Sequence, residues 1–228
     1  MMGVSAQQAP PQEPGRSDDV RPDRATALTR ARYDRIARLY DVMEAPVERR
    51  YGRWRRRLWS LVEGPRVLEV GVGTGKNMPY YPAGIRVTAV DLSGRMLRRA
   101  RRQALHLRRP VPLLQTDVQA LAFRDAAFDT AVATFVFCSV PDPVRGLREV
   151  ARAVKPGGLV VLLEHVRAAG PVLGRLMDLL DPLVVRLAGP HINRRTVENV
   201  RRAGLLIERV ADLGLRGIFK LIVARKQP

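Results

Sequence analysis

The chain has 228 residues, 46% of them hydrophobic, which is enough for one substantial domain with a buried core and excludes a chain that is disordered throughout. Its 40 Lys and Arg against 22 Asp and Glu leave a formal net charge of +18. That charge points to nucleic acid, anionic lipid or acidic substrates as partners, or to an arginine-biased solvated surface, since the arginines are spread along the chain rather than gathered in one tract. The single cysteine, Cys138, excludes an intrachain disulfide and suits a cytoplasmic setting. No uninterrupted apolar run of about 18 residues is present, so no transmembrane helix is expected.

Residues 1–23, rich in Pro, Gln, Ala and Asp, read as a disordered tail without the apolar stretch of a secretory signal. A helix is predicted from Ala25, with Leu28, Ile36, Leu39, Tyr40 and Met43 at helical spacing, and Pro46 is expected to break it. A second helix sets Val47, Tyr51, Trp54, Leu58 and Leu61 on one face and arginines mostly on the others, and Gly64-Pro65 ends it. Residues 24–64 thus form a helical unit ahead of the rest.

From Arg66 the pattern alternates. Short apolar strands are predicted at Arg66–Val70, Arg86–Val90, Pro112–Gln115, Phe128–Thr134 and Gly158–Glu164. Between them, Ser93 can cap a helix running towards Leu107, and Asp142 with Pro143 can start another that ends near Val154. This rhythm implies a mostly parallel sheet with helices on both faces. Pro171 to Pro190 reads as an apolar helical insert, within about 168–192, and Asn193 or Thr196 as the cap of a helix that stops at Gly204. Leu205–Val210 and Gly217–Ala224 then form a terminal hairpin that adds one antiparallel strand. The expectation for 65–228 is a Rossmann-like α/β core of seven strands.

Glu69 to Gly75 is Glu-x-Gly-x-Gly-x-Gly directly after the first strand. Glycines there let the chain turn sharply and approach a ligand closely, at the strand ends where open parallel sheets bind ligands. Asp91 ends the next strand, 20 residues after Gly71, where a carboxylate can accept from both ribose hydroxyls. These features alone suit a dinucleotide as well. The spacing Gly-x-Gly-x-Gly, rather than Gly-x-Gly-x-x-Gly, disfavours a pyrophosphate under a helix N-terminus. A carboxylate at Glu69 favours a cationic ligand over a phosphate.

The ordered set Val67-Leu-Glu-Val-Gly-Val-Gly-Thr-Gly75, Val90-Asp-Leu-Ser-Gly-Arg-Met-Leu97, Thr116-Asp117, Phe128-Asp129 and Lys155-Pro-Gly-Gly158 resembles the class I S-adenosylmethionine (SAM)-dependent methyltransferases. The nearest likeness is to the ubiquinone/menaquinone-biosynthesis type and its phosphatidylethanolamine N-methyltransferase and thiol S-methyltransferase relatives. The resemblance implies that Glu69, Gly71, Gly73 and Gly75 surround the methionine part of SAM and that Asp91 holds the ribose. It implies that Leu92 and Met96 sandwich the adenine, though a helical Met also serves as core. Asp117 with Val118 would meet the adenine amino group, and Thr134 and Phe135 the methyl region.

The acceptor is less legible. No Asn/Asp-Pro-Pro-Tyr motif follows the fourth strand, which lowers the case for adenine or glutamine-amide acceptors, and Cys138 lacks the Pro-Cys context of cytosine C5 enzymes and reads as buried core. His106 reads as a surface residue near a helix C-terminus. The run Leu163-Glu-His-Val166 is similar to Met-Glu-His-Val of the thiol enzymes, which makes His165 a catalytic candidate beside a structural role; His191 and Asn193 resemble a substrate-side stretch of the same relatives. Tyr33 and Tyr40, in Tyr-Asp-x-x-Ala-x-x-Tyr-Asp, resemble the helix that closes over the cofactor in the quinone-pathway family, or pack as an ordinary helix face. No metal site is suggested. The apolar insert and the Arg-rich second helix suit a small or lipophilic acceptor (phospholipid amine, quinol or thiol) met by peripheral contact with an anionic membrane. RNA methylation through the basic surface, and SAM binding without catalysis, remain as competing readings.

Overall fold

The computed structural model describes residues 23–168, 170–187, 191–214 and 217–228; all but the last residue of the expected tail therefore lies outside the described residues. Seven strands, β1 (Arg66–Val70), β2 (Arg86–Asp91), β3 (Leu113–Gln115), β4 (Phe128–Thr134), β5 (Val154–His165), β6 (Leu205–Asp212) and β7 (Phe219–Lys226), form one sheet in the order β3-β2-β1-β4-β5-β7-β6. Only β7 runs antiparallel to its neighbours, as the terminal hairpin requires. Among the described residues, six α-helices accompany the sheet: α1 (Arg24–Ile36), α2 (Tyr40–Trp59), α3 (Gly94–His106), α4 (Pro143–Ala153), α5 (Pro171–Leu187) and α6 (Thr196–Arg202).

Alternation along each buried strand divides the core in two. On one face Leu68, Val70, Ala131, Val160, Leu162 and Ile222 pack with Leu147 and Val150 of α4 and Val200 of α6. On the other face Val67, Val132, Val161, Leu163 and Leu221 meet Trp54, Leu58 and Trp59 of α2 and Ala100 of α3. Deleting one of these large side chains costs about 2–5 kcal/mol. Asp129, buried at the start of β4, accepts from Arg66 Nη2 (2.9 Å) and Arg66 N (2.9 Å) and pairs with Lys155 Nζ at 3.1 Å. These bonds hold its carboxyl well below the usual carboxylate range and tie β1, β4 and β5 together at the end of the sheet away from the carboxyl edge.

The caps behave as their chemistry predicts at two helices. Ser93 Oγ accepts from Met96 N at 3.1 Å and Asp142 Oδ1 from Arg145 N at 2.9 Å. Three boundaries differ. The break between the first helices falls at 37–39, where Leu39 N bonds Ile36 O at 2.9 Å, and Pro46 sits inside α2. Pro46 faces solvent, as does Val42 at 70% exposure, so water can satisfy the Val42 carbonyl that loses its helical donor. The strand predicted from Gly158 begins at Val154, with a register irregularity between Phe128 and Thr130 that accommodates Gly157 at φ 72°. Neither Asn193 nor Thr196 caps α6: Arg195 precedes it without a side-chain cap, and Thr196 is its buried first residue.

Candidate active site

Strand order reverses between β1 and β4, and the crevice at their carboxyl ends is where this topology opens a ligand site. The structure has a cleft there whose empty space, open mouth included, is about 720 Å³. Eleven residues singled out from the sequence meet on its wall: Tyr33, Tyr40, Gly71, Gly73, Asp91, Leu92, Met96, Asp117, Val118, Thr134 and Phe135.

The glycine turn forms the floor. Gly71 and Gly73 have φ of 68° and 57°, left-handed values that a Cβ makes costly. A Cβ on Gly71 would lie 2.4 Å from Val136 Cγ2, whereas one on Gly73 would meet nothing within 4 Å. Gly71 is therefore required by packing, and Gly73 borders open space. Asp91 closes the side of the turn: Gly73 N donates to its Oδ2 and Ser93 N to its Oδ1, each at 2.8 Å. Burial pushes this carboxyl up to about 6, against the pull of those two N–H groups. At the next strand end, Asp117 accepts from Gln119 Nε2 at 3.0 Å and from Thr26 Oγ1 of α1 at 3.3 Å.

The loop after β4 makes the opposite wall. Phe135 has φ 58°, unusual for an aromatic residue. Glu164, buried at the end of β5, holds the loop by accepting from Val136 N and Phe137 N, both at 3.0 Å through Oε1. Its Oε2 has no hydrogen-bond partner among the described residues, and burial pushes the carboxyl up to about 7. Cys138 is buried in the same loop with its thiol pushed up to about 12, so it stays protonated at neutral pH.

The first two helices close the mouth through polar bonds to the elements just described. Tyr33 Oη lies 2.5 Å from Ser139 Oγ, and burial raises the Tyr33 hydroxyl well above its usual range. Asp34 accepts from Ser93 Oγ at 2.5 Å and Arg95 N at 3.1 Å. Asp41 accepts from Thr74 Oγ1 at 2.7 Å and Arg99 Nη2 at 2.5 Å. Asp34 and Asp41 were not singled out from the sequence, although each directly follows a tyrosine that was.

Glu69, Gly75, His165, His191 and Asn193 are not on the cleft wall. Glu69 points into the core, where Tyr81 Oη and Asn77 Nδ2 donate to its two oxygens and burial pushes it up to about 7. It is linked to the cleft through Asn77, which also donates to Thr134 Oγ1 at 3.1 Å. His165 projects from the opposite face of β5 to Glu164, because the pleat alternates. Its ring stands edge-on to Phe219 at 5.4 Å, Phe219 lies 5.9 Å from Phe135, and burial lowers its basicity. His191 pairs with Asp181 of α5 at 2.7 Å, and Asn193 lies near Asp178 of the same helix.

These residues fit S-adenosylmethionine. Gly73 leaves room for close backbone approach, Asp91 presents a carboxylate to the cleft at the end of β2, and Leu92, Met96, Val118 and Val140 line it with apolar surface. Comparisons with known proteins agree. A methyltransferase-domain family profile matches residues 68–162. A demethylmenaquinone methyltransferase of Renibacterium salmoninarum is 34% identical over 187 residues, covering 79% of this chain and 73% of that one. A phosphatidylethanolamine N-methyltransferase of Cereibacter sphaeroides is 45% identical over 112 residues, 48% of this chain and 55% of that one. A thiol S-methyltransferase of Rattus norvegicus is 32% identical over 142 residues, 60% and 58%. The match thus spans little more than half the length of the phospholipid and thiol enzymes. Among solved structures, a SAM-dependent methyltransferase of Thermotoga maritima superposes with a TM-score of 0.67 at 23% identity, covering 86% of this chain and 99% of that one. A [4+2]-cyclase superposes with 0.64 at 22% identity, covering 78% and 80%, so the fold alone does not carry the activity. Sequence similarity across the whole core, together with a cleft shaped for the cofactor, places this chain among the class I S-adenosylmethionine-dependent methyltransferases.

Proposed function

We propose that this methyltransferase acts on a small or lipophilic acceptor: a phospholipid amine, a quinol or a thiol. The observation that carries the reading is the apolar wall of the cleft beyond the glycine turn, where Phe135, Val136, Val140 and Pro141 face Tyr33 and Tyr40 of the helical cap. When bound, S-adenosylmethionine supplies a methyl carbon on a sulfonium, and an in-line lone pair forms the new bond as the carbon–sulfur bond breaks and its electrons return to sulfur.

The chain's own task is to align the two partners and exclude water. In this reading Asp91 holds the ribose hydroxyls, Asp117 and Val118 the adenine edge, and Leu92 and Met96 its faces. The Gly71–Gly75 turn follows the methionine part, with Glu69 acting through Asn77 on Thr134. Tyr33 and Tyr40 shape the acceptor end, His165 supports Phe135 from behind, and His191 and Asn193 serve the substrate side. Residues 24–64 form the cap over the cofactor.

Helix α5 supports a lipophilic acceptor. Val172, Leu176, Leu179, Leu180 and Leu183 are exposed on it, Val172 at 82% and Leu179 at 76%. Such a face on a chain of net charge +18 suits peripheral contact with an anionic bilayer. No helix among the described residues is long and apolar enough to cross a membrane. The charge of +18 also favours a second reading, RNA methylation. The test is labelled-methyl transfer from SAM to membrane lipid extract, quinols, thiols and total RNA. Label in lipid, quinol or thiol is expected. Label confined to RNA replaces the acceptor class, and tight SAM binding with no label anywhere makes the protein a non-catalytic binder.

A further inference from the structure

Three successive backbone N–H groups turn towards the tip of β5 where the chain leaves β4. Phe135 N donates to Leu163 O at 2.8 Å, and Val136 N and Phe137 N both donate to Glu164 Oε1 at 3.0 Å. Phe135 has φ 58°, and a left-handed residue in a turn brings successive N–H groups round one concavity suited to an anion. The Glu164 carboxyl fills that concavity.

The filling is costly to the fold by itself. Glu164 is fully buried, no cation pairs with it among the described residues, and its Oε2 has no hydrogen-bond partner there. A buried polar atom left bare opposes folding, so what the carboxyl contributes lies in the two bonds of Oε1. Those bonds act on the cleft. Phe135 and Val136 are on its wall, whereas Glu164 is not. Val136 packs so close to the glycine turn that a Cβ on Gly71 would lie 2.4 Å from its Cγ2. The later residues of the loop are held separately: His191 N donates to Cys138 O and Arg194 Nη2 to Val140 O, each at 3.0 Å. Strands β1 and β4 are parallel neighbours, with β2 and β3 beyond β1. The residues braced by Glu164 therefore form the β1–β4 end of the cleft, while Asp91 and Asp117 stand at the β2 and β3 end.

We propose that Glu164 is a positioning residue for the methionine end of the cofactor: through its bonds to Val136 and Phe137 it fixes Phe135 and Val136 against the glycine turn. This rests on the cofactor placement proposed above, with the adenosine towards Asp91 and Asp117, and deepens it. Glu164 touches no reactant and acts only through the backbone it holds.

The test compares two ligands on the full chain by calorimetry: S-adenosylhomocysteine, which carries the amino-acid end, and 5′-methylthioadenosine, which lacks it. Glu164→Met removes the acceptor and keeps the bulk. It is expected to weaken S-adenosylhomocysteine about 10-fold, with less than about 3-fold change for methylthioadenosine, the scale of losing hydrogen bonds to a charged group. Glu164→Asp withdraws the carboxyl by one methylene and is expected to show the same split, which covers the case of a Met variant that does not fold. Glu164→Gln keeps an oxygen acceptor for the two N–H groups and is expected to bind S-adenosylhomocysteine within about 3-fold of wild type. Equal losses on the two ligands, unchanged S-adenosylhomocysteine affinity in the Met and Asp variants, or a Gln variant as weak as the Met variant overturn the proposal. If the wild-type chain binds both ligands and the split is absent, the role of Glu164 falls while the family assignment stands; if it binds neither, the cofactor reading beneath it fails.

Discussion

At the scale of single residues, Asp91 carries the strongest expectations. If Asp91 holds the ribose as proposed, replacing it with alanine leaves two ribose hydroxyls without their acceptor, and unpaired buried groups cost about 1–3 kcal/mol each. SAM affinity measured by calorimetry should fall by about 10- to 1,000-fold; an unchanged Kd would remove Asp91 from the site. Its carboxyl is raised to about 6, so protonation removes acceptors as pH drops through that value. Affinity should therefore decline from pH 7 to pH 5, and Asp91→Asn should flatten the profile. The linked effect on the ligand-free fold has the opposite sense. A carboxyl raised in the native state binds more protons there than in the unfolded chain. Its contribution to stability is therefore lost as pH rises from the ordinary 3.8 to about 6. Gly71→Ala combines left-handed strain with a 2.4 Å contact on Val136. Thermal or urea unfolding should show a loss of about 2–4 kcal/mol. Val136→Ala in the same chain should recover part of it; full additivity would mean that the contact is not the cause. His165 backs Phe135 through Phe219, so His165→Ala should reduce turnover several-fold more than SAM affinity, and equal turnover would leave it purely structural.

At the scale of elements, α1 and α2 belong to the site as much as to the fold. Asp34 ties α1 to the start of α3, and Asp41 ties the start of α2 to the glycine turn and α3. These are part-exposed bonds, and much of α1 is itself exposed. The cap should therefore open at lower free energy than the sheet, where β1, β4 and β5 are buried on both faces. Replacing both Asp34 and Asp41 by alanine should speed SAM dissociation in stopped-flow measurements. It should raise hydrogen exchange in 24–59 while leaving the midpoint of global unfolding within about 2–4 °C. A large drop in that midpoint would show instead that the cap is integral to the core. The length of α2 was hidden by Pro46, because a proline is read locally as a break, whereas its tolerance depends on solvent reaching one carbonyl. The pairing of α5 with the segment after it was equally hidden, since Asp181 and His191 meet only when the helix folds back.

At the scale of the whole molecule, the proposed membrane contact joins net charge to the exposed apolar side chains of α5. A +18 protein is drawn to anionic surfaces with a strength that salt reduces. Co-sedimentation with vesicles containing phosphatidylglycerol should exceed that with phosphatidylcholine alone, and added salt should weaken it. Val172→Glu with Leu179→Glu should lower it several-fold without moving the unfolding midpoint, because both side chains are largely exposed. Binding that depends on salt but not on these two side chains would assign the contact to charge alone.

The sequence by itself determined the seven strands, the single antiparallel strand at the C-terminal hairpin, and the placement of the glycine turn and Asp91 at neighbouring strand ends. These are local matters: side-chain period, turn chemistry and the fixed distance between consecutive parallel strand ends. The eleven sequence-derived residues on the cleft wall lie close to strand ends or on the cap helix, where such reasoning is strongest. Only the tertiary structure decided which way Glu69 turns, that His165 lies behind the wall while Glu164 holds it, and that Asp181 organises His191. Each depends on which face of an element a distant segment covers and on which polar groups that covering strips of water. Neither is encoded in the spacing of neighbouring residues.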